Sequence, residues 1–212
     1  MSPTSSLPLP SSLFFQGANP TADLALFRMS PRGPETLLIV RSVSSPACPG
    51  LPAFPGGFIE SSTGRGMLHQ ACETPEQAAR RELLEETGVA AGVEIELIAC
   101  GVWDAPWRDP RNGDGKFARS HLFCAMVPES FGSEPQGLDD AEEGLTRWVP
   151  ISELAGREMA FDHGQMLSAA CTLLGLKDPK ARSWAVELST AKLAAKLALD
   201  SALLEVQSRP TL

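Results

Sequence analysis

The sequence is short of positive charge. Its 18 lysines and arginines face 26 aspartates and glutamates, so the formal net charge is −8 at pH 7. Nucleic acid would be repelled over most of such a surface, and we therefore expect no nucleic-acid partner. A small anionic substrate could still bind where metal ions reverse the local sign of the charge.

Paired cysteines are also missing. The five cysteines are odd in number, and no two of them form a C-x-x-C pair. This usage indicates reduced thiols rather than a disulfide framework. Cys100 and Cys124 lie in apolar runs and are predicted to be core residues.

The sequence has neither a transmembrane-length apolar run nor a recognisable leader. The N-terminus lacks the basic start and apolar core of a signal peptide. We therefore expect no membrane partner and a cytoplasmic location. With 43% apolar and 21% charged residues among 212, the composition is typical of one globular domain with an appendage.

The most informative stretch covers residues 73–89 and predicts an α-helix. Thr74 is a suitable N-cap, Pro75 suits the first turn, and Gln77 completes a Thr-x-x-Gln capping box. Gly88 stands where a left-handed residue would end the helix.

This helix carries an acidic stripe. Glu82, Glu85 and Glu86 are spaced i, i+3 and i+4, which places them within an arc of about 100° on one face. The three carboxylates repel each other, and Arg80 and Arg81 relieve the repulsion only partly. A solvated, ion-paired helix face is the alternative, but a divalent cation explains the whole set because Mg²⁺ and Mn²⁺ prefer oxygen ligands.

The same stretch resembles the signature box of the Nudix hydrolase family. The second part of the box matches throughout, from Glu73 across seven residues to residues 81–89. The first part departs, because the Pro-Gly-Gly turn at residues 55–57 precedes Glu73 by ten residues more than the pattern allows. We interpret residues 61–70 as an inserted loop that lengthens the link without moving the helix.

The resemblance implies a metal site that uses Mg²⁺ or Mn²⁺ as the cofactor. By this analogy Glu82 and Glu86 hold one cation, Glu85 shares a second, and the backbone carbonyl near Gly57 is a further ligand. Arg81 would orient the glutamates by ion pairing. The metal ions would polarise the pyrophosphate and lower the pKa of a bound water, and attack on phosphorus would follow in line.

The general base is implied to come from a loop after the box. That loop offers several carboxylates, and we select Glu143 because it precedes Arg147 and Trp148 in a segment similar to one in ADP-ribose-cleaving relatives. The predicted catalytic residues are Glu85, Arg81 and Glu143. The other acidic residues of the loop are Glu134, Asp139, Asp140 and Glu142.

Two short stretches point to the substrate. Residues 107–111 and 161–164 resemble stretches of ADP-ribose pyrophosphatases and related regulators. Arginine guanidinium groups suit phosphate oxygens, and tryptophan rings can stack on adenine, although a packing role for Trp103 and Trp107 is equally open. His121 and His163 are expected to be structural. The predicted substrate-binding residues are Arg41, Arg108, Arg111 and Trp103.

The leading hypothesis is metal-dependent hydrolysis of ADP-ribose to AMP and ribose 5-phosphate. The first alternative is hydrolysis of another nucleotide, such as a nucleoside diphosphate sugar, a dinucleotide or an oxidised nucleoside triphosphate. The second alternative is a Nudix-like sensor that binds ADP-ribose without turnover. The complete Arg81-Glu82 and Glu85-Glu86 pairs argue against a sensor, since pure binding does not need them all.

The order of predicted elements is typical of an α+β fold, and the resemblance sharpens this to a Nudix-type α/β/α sandwich with a mixed sheet and an extra C-terminal helix. That helix either closes the domain or lies in a homodimer interface. We expect a flexible arm at residues 1–19, a Nudix domain at 20–175 and a helical extension at 176–212. Strands are predicted at residues 23–27, 36–40, 54–59, 93–102, 120–127 and 147–149, and helices near 151–154, 161–174 and 185–205.

Overall fold

The computed structural model describes Leu13 and residues 15–60, 72–128, 130–131, 135–139, 141, 143–154 and 156–177. The predicted inserted loop at 61–70 and the predicted helix at 185–205 lie outside these residues, as do Glu134, Asp140 and Glu142. The described strands are β1 Gly17–Ser30, β2 Gly33–Val40, β3 Pro52–Ala53, β4 Gly56–Phe58, β5 Ile98–Trp103, β6 Lys116–Val127 and β7 Arg147–Pro150. The described helices are α1 Pro75–Thr87 and α2 His163–Lys177, and a 3₁₀ turn covers Ile151–Leu154.

The strands form one mixed sheet. Its main path runs β3-β2-β1-β6-β5, while β4 pairs with β1 and β7 pairs with β2. The long central pair, β1 with β6, is parallel, and the other pairs are antiparallel. The predicted mixed sheet is confirmed.

One helix covers each face of the sheet. Residues alternate along β1, so Leu24 and Leu26 pack in one hydrophobic cluster with Leu83 of α1. Ala25 and Phe27 point the other way, into a second cluster that includes residues of α2. The predicted Nudix-type α/β/α arrangement follows from this two-sided burial.

Helix α1 begins and ends where the sequence predicts. The Thr74 hydroxyl accepts a hydrogen bond from the Gln77 backbone N–H at 3.2 Å, and the Gln77 side chain accepts one from the Thr74 N–H at 2.7 Å. Gly88 has φ of 69° and donates its N–H to the Leu84 carbonyl. The left-handed conformation is one that glycine adopts at little cost, so the helix stops there.

The predicted strand at residues 93–102 is wrong in its first half. Val93 is 94% exposed, and β5 begins only at Ile98. The reason is tertiary: the Arg80 guanidinium donates hydrogen bonds to the carbonyls of Ala91, Gly92 and Ile95, so this segment is held as a loop against α1.

Three further boundaries differ from the prediction. Helix α2 begins at His163 rather than at residue 161, because Phe161 has φ of 53°. The predicted helix at 151–154 is a single 3₁₀ turn. The predicted strands at 23–27 and 120–127 are the buried centres of the longer strands β1 and β6, whose parallel pairing extends them.

The cysteines agree with the prediction from their number and spacing. None of the five forms a disulfide; Cys124 is buried, and Cys100 packs against the core from a half-buried position. No helix within the described residues is long and apolar enough to cross a membrane.

Candidate active site

The acidic stripe of α1 is organised by Arg81. Its guanidinium donates to Glu82 and Glu85 at 2.8 Å each and to Glu73 at 2.7 Å, and it also reaches the Phe58 carbonyl at 3.0 Å. Burial alone would lower the pKa of Arg81, but these carboxylates outweigh it and raise the pKa above its ordinary value. Arg81 thus ties the stripe to the strand β4.

Glu73 also joins the two ends of the predicted insertion. It accepts a hydrogen bond from the Glu60 N–H at 2.8 Å, while the Cys72 N–H donates to the Glu60 carbonyl at 2.9 Å. The chain therefore leaves and re-enters the domain at one point, which is why extra residues between them do not displace α1.

Glu86 is the most deeply placed acid of the stripe. Only 2% of it is exposed, and one carboxylate oxygen accepts the Gly56 N–H at 2.9 Å. Burial raises the pKa of Glu86 well above its ordinary value, and the negative charges of Glu82 and Asp23 add to the shift, while the Gly56 N–H and Arg41 oppose it. A cation beside Glu86 would stabilise its ionised carboxylate, which burial disfavours.

The two glycines of β4 let the strand approach these carboxylates closely. A Cβ at Gly57 would overlap the carboxylate of Glu82. A Cβ at Gly56 would overlap the Asp23 side chain and the Ala22 carbonyl oxygen of β1. Neither position therefore tolerates a side chain without movement of the site.

A buried polar network lies beneath the acids. Arg108, 3% exposed, forms a two-pronged ion pair with Asp162 at 3.0 and 3.2 Å. Ser120 donates a short hydrogen bond to Asp23. His163 accepts the Phe54 N–H at Nδ1 at 3.0 Å, and burial lowers the pKa of His163, so the imidazole is neutral there.

An arginine-rich rim faces this floor. The Arg41 and Arg111 guanidinium carbons lie 5.0 and 5.6 Å from the centre of the Phe161 ring, and Arg111 also lies 5.5 Å from the Phe58 ring. Asp109 accepts from Arg111 at 2.7 Å and fixes its direction. Two guanidinium groups are thus held against the aromatic rings of Phe58 and Phe161.

These groups enclose a small cavity of about 80 Å³. It is smaller than the pockets of roughly 300–1,000 Å³ that hold whole drug-sized ligands, so it matches a phosphate-sized group rather than a whole nucleotide. The predicted site residues that line it are Arg41, Gly57, Glu82, Glu86, Arg108 and Arg111.

Four predicted site residues lie outside that lining. Arg81 and Glu85 are on the outer side of the stripe, where Arg81 pairs with Glu85. Glu143 is exposed, and Trp103 is half-buried against the core cluster under α2. Trp107, the other stacking candidate, is 63% exposed.

Several cavity residues were not among the predicted site residues. Asp23 is inside a strand and carries no sequence signal of its own. Asp139, an alternative candidate for the general base, also lines the cavity. Phe161 and His163 belong to the stretch at 161–164, whose resemblance to relatives was the available signal; the structural role expected for His163 agrees with its bond to the Phe54 backbone.

The donors suit the divalent cation that the resemblance implies. Glu82 and Glu86 are carboxylates at 4% and 2% exposure, and Gly57 brings backbone into contact with Glu82. Within the part of the chain described, no three His, Cys, Asp or Glu side chains are already grouped around a metal position. Glu82 and Glu85 bind Arg81 instead, so a cation would compete with that guanidinium for their oxygens.

Comparison with solved structures places this site in a known fold. The NUDIX domain of NrtR from Shewanella oneidensis, complexed with ADP ribose, is 24% identical with a TM-score of 0.60, over 76% of this chain and 90% of that chain. The same protein complexed with a 27mer DNA is 24% identical with a TM-score of 0.57, over 74% of this chain and 62% of that chain. A mutT/nudix family protein from Listeria innocua is 32% identical with a TM-score of 0.55, over 75% of this chain and 95% of that chain.

A third relative contains a metal ion. It is a bifunctional NMN adenylyltransferase/ADP ribose pyrophosphatase from Francisella tularensis complexed with AMP and an Mn ion. It is 25% identical with a TM-score of 0.54, over 73% of this chain but only 41% of that chain, so this chain spans less than half of it. No curated protein sequence matches the chain. Since the NUDIX domain model matches residues 19–170 and the Listeria protein is 32% identical over most of its length, the chain belongs to the Nudix family, whose enzymes are pyrophosphohydrolases that generally use divalent metals.

Proposed function

We propose that this protein hydrolyses ADP-ribose to AMP and ribose 5-phosphate with the help of Mg²⁺ or Mn²⁺. The observation that carries the proposal is that buried Glu82 and Glu86 and the rim arginines Arg41 and Arg111 line one small cavity. Such a cavity suits one phosphate group of a diphosphate, which arginines and cations at carboxylates would hold together. The relatives solved with ADP ribose and with AMP support this choice of substrate.

The residues of the chain would divide the work as follows. Glu82, Glu86 and the Gly57 carbonyl would hold the cation, with Glu85 sharing a second one, and Arg81 would keep the carboxylates in place. When bound, the metal supplies Lewis-acid stabilisation of the pyrophosphate oxygens. Arg41, Arg108 and Arg111 would neutralise phosphate charge.

The reaction needs one water and a group that takes its proton. The water oxygen bonds to phosphorus, the bridging P–O bond breaks, and each product keeps one phosphate. Glu143 remains the proposed base, and Asp139 is its rival because it lines the cavity. The adenine is proposed to stack on Trp103 or on exposed Trp107, outside the cavity.

One experiment distinguishes the proposal from its two alternatives, a hydrolase of another nucleotide and an ADP-ribose sensor without turnover. Purified protein is incubated with ADP-ribose and Mg²⁺ or Mn²⁺, and the products are separated beside a panel of nucleoside diphosphate sugars, dinucleotides and oxidised nucleoside triphosphates. AMP with ribose 5-phosphate supports the proposal. Turnover of another substrate alone would identify a different hydrolase, and tight binding of ADP-ribose without any turnover would identify a sensor.

The assignment of the acids is tested by Glu86→Gln. This change keeps the volume and removes the buried charge, so we expect at least a 100-fold loss of kcat, on the order seen when a metal ligand or its support is removed, with the fold intact. Glu76→Gln on the same helix is the matched control, because Glu76 pairs with Arg80 away from the cavity. Near-native activity of Glu86→Gln would refute the metal assignment. The variants Asp139→Asn and Glu143→Gln distinguish the two candidate bases, because removal of the true base should cause the larger loss of kcat.

A further inference from the structure

One threonine lines the cavity of the candidate active site with its hydroxyl unused by the fold. Thr21, on β1, is only 8% exposed, and it is the one hydroxyl side chain among the described residues of the lining. Its hydroxyl makes no hydrogen bond to any other part of the chain that the structure describes. Most buried polar side chains are hydrogen-bonded, so this hydroxyl needs a partner from outside the protein.

The Thr21 hydroxyl can be reached from the cavity. Within residues 15–60, 72–128 and the later described ranges, the unbonded polar side-chain atoms that are closed to solvent belong to His121, Thr146 and Trp148. Thr21 is not one of them, so a group seated in the cavity has access to its oxygen. Thr146 provides a contrast, because it is a buried, unbonded threonine that is sealed and lies outside this lining.

Two polar neighbours of Thr21 in the lining are already engaged. Asp23, two residues along β1 and therefore on the same side of the strand, accepts a hydrogen bond from Ser120. Arg108 donates to Asp162 at 3.0 Å. Thr21 differs from both because it offers the cavity a donor that the folded protein does not consume.

Strand pairing places Thr21 beside the segment that joins the two halves of the site. Thr21 lies opposite Phe58 of β4, and such cross-strand neighbours project from the same face of a sheet. The Arg111 guanidinium carbon lies 5.5 Å from the centre of the Phe58 ring, and the backbone of Gly57 lies against the Glu82 carboxylate. Thr21 is therefore next to the short strand that contacts both the arginine rim and the acidic stripe.

The chemistry of this position defines the partner. A threonine hydroxyl can donate one hydrogen bond, and the oxygens of a phosphate are strong acceptors. The cavity of about 80 Å³ has room for one phosphate group. A phosphate seated there would meet guanidinium groups and, at Thr21, a neutral donor.

We propose that the Thr21 hydroxyl donates a hydrogen bond to a non-bridging oxygen of the substrate phosphate that occupies this cavity. Thr21 is then a substrate-binding residue in addition to the arginines. The proposal rests on the proposed function, since it takes the occupant to be one phosphate of a diphosphate, but it does not depend on which nucleotide carries that phosphate.

Thr21→Val tests the hydroxyl alone, because the exchange keeps the shape of the side chain. Isothermal titration calorimetry with Mg²⁺ present measures the binding of inorganic phosphate and of AMP, neither of which has a phosphoanhydride bond to cleave. We expect Thr21→Val to raise both dissociation constants about tenfold, the value of one hydrogen bond to a charged group. Thr21→Ser, which keeps the hydroxyl, should bind both ligands nearly as well as the wild type.

Thr146→Val is the matched control. It makes the same exchange at the sealed threonine outside the cavity, so the binding of phosphate should not change. Each valine variant removes a hydroxyl that has no protein partner, and the unfolding temperature should therefore not fall in either. A threonine with a purely structural role would instead lose stability and keep its affinity for phosphate.

Several results would overturn the proposal. They are equal dissociation constants for Thr21→Val and Thr146→Val, binding by Thr21→Ser as weak as that by Thr21→Val, or no binding of phosphate by the wild type. Failure of the proposed function gives a different result. ADP-ribose is then not hydrolysed, while inorganic phosphate still binds less tightly to Thr21→Val than to the wild type.

Discussion

At the scale of single residues, the two glycines of β4 make different demands on the fold. At Gly57 an added Cβ meets only the end of the Glu82 side chain, which can swing away. At Gly56 it meets the backbone of Ala22 and Asp23 on β1, which cannot move without breaking the strand pairing. Gly57 is therefore needed for the position of the Glu82 carboxylate, whereas Gly56 is also needed for the pairing of β4 with β1.

This contrast predicts opposite outcomes for two alanine variants. Gly57→Ala should lower metal-dependent kcat about 10- to 100-fold by displacing Glu82, with little change in unfolding temperature. Gly56→Ala should cost about 1–3 kcal/mol of unfolding free energy through overpacking. Kinetics and urea denaturation measure the two effects, and Gly113→Ala, which meets open space, is the control. Equal effects of the two variants on stability would contradict this division.

Buried His163 makes the stability of the fold depend on pH. Burial lowers the pKa of His163 below its ordinary value of 6.5, with Arg108 and Arg41 adding to the effect and Asp23 and Asp162 opposing it. The folded state then binds fewer protons than the unfolded state below pH 6.5. The stabilising contribution is therefore complete above pH 6.5 and is lost as pH falls through the lowered pKa.

His163→Asn should reduce this dependence on pH. The asparagine oxygen can still accept the Phe54 N–H, but the side chain no longer titrates. Between about pH 7.5 and pH 5 the wild type should lose up to 1.4 kcal/mol per pH unit more than the variant. Chemical denaturation at several pH values measures the slopes, and Glu86 contributes equally to both proteins. Identical slopes would show that His163 does not carry the effect.

At the scale of elements, α1 both packs in the core and carries the acidic stripe. One face buries Leu83 and its neighbours in the core, while Arg80 and Arg81 bind different partners along the helix. Arg80 holds the loop at residues 91–95, and Arg81 holds the acidic stripe and β4. Neighbouring arginines of the same helix therefore have separable roles.

Arg81→Lys tests that separation. A lysine cannot reach Glu73, Glu82, Glu85 and the Phe58 carbonyl together, because it lacks the planar fork of five donors. We expect kcat to fall about 10- to 100-fold, as for residues that support metal ligands. Arg80→Lys should instead lower the unfolding temperature and leave kcat nearly unchanged. Loss of kcat in both variants would argue against a specific role for Arg81.

At the scale of the whole molecule, a buried ion pair fastens α2 to the loop that follows β5. Arg108 and Asp162 are 54 residues apart in sequence and nearly inaccessible to solvent. The pair also places Arg108 at the cavity and fixes the start of α2, where the Asp162 carbonyl accepts from Gln165 and Met166. The Arg108–Asp162 pair therefore both joins distant parts of the chain and sets the position of Arg108 in the cavity.

Removal of one partner should be costly. Asp162→Ala removes both hydrogen bonds of this pair and leaves buried Arg108 with the Asp23 carboxylate at 3.9 Å, which should destabilise the protein by about 3–5 kcal/mol. The double change Arg108→Met with Asp162→Leu should recover most of that stability while losing activity. Asp104→Ala, which breaks an exposed pair with Arg119, should cost no more than about 1 kcal/mol. Urea unfolding gives the three values, and a small cost for Asp162→Ala would contradict the role of the pair.

Local signals predicted some parts of the molecule well. The helix at α1 was predicted to within its caps, because Thr74, Gln77 and Gly88 act on their own backbone neighbours. The strand at residues 93–102 was misplaced because Arg80, from a distant turn of α1, takes the carbonyls of that loop. The prediction from sequence thus fails where a side chain distant in sequence, rather than a neighbouring strand, binds the backbone carbonyls of a segment.

The amino-acid sequence by itself determined the acidic helix and its Nudix-type spacing, since the i, i+3 and i+4 geometry of a helix is independent of what surrounds it. Only the tertiary structure decided that Glu86 is buried with a raised pKa, that Asp23 and Phe161 belong to the cavity, and that the Thr21 hydroxyl is open to it. Those properties depend on which strands lie side by side, and strand pairing across a hundred residues leaves no local pattern.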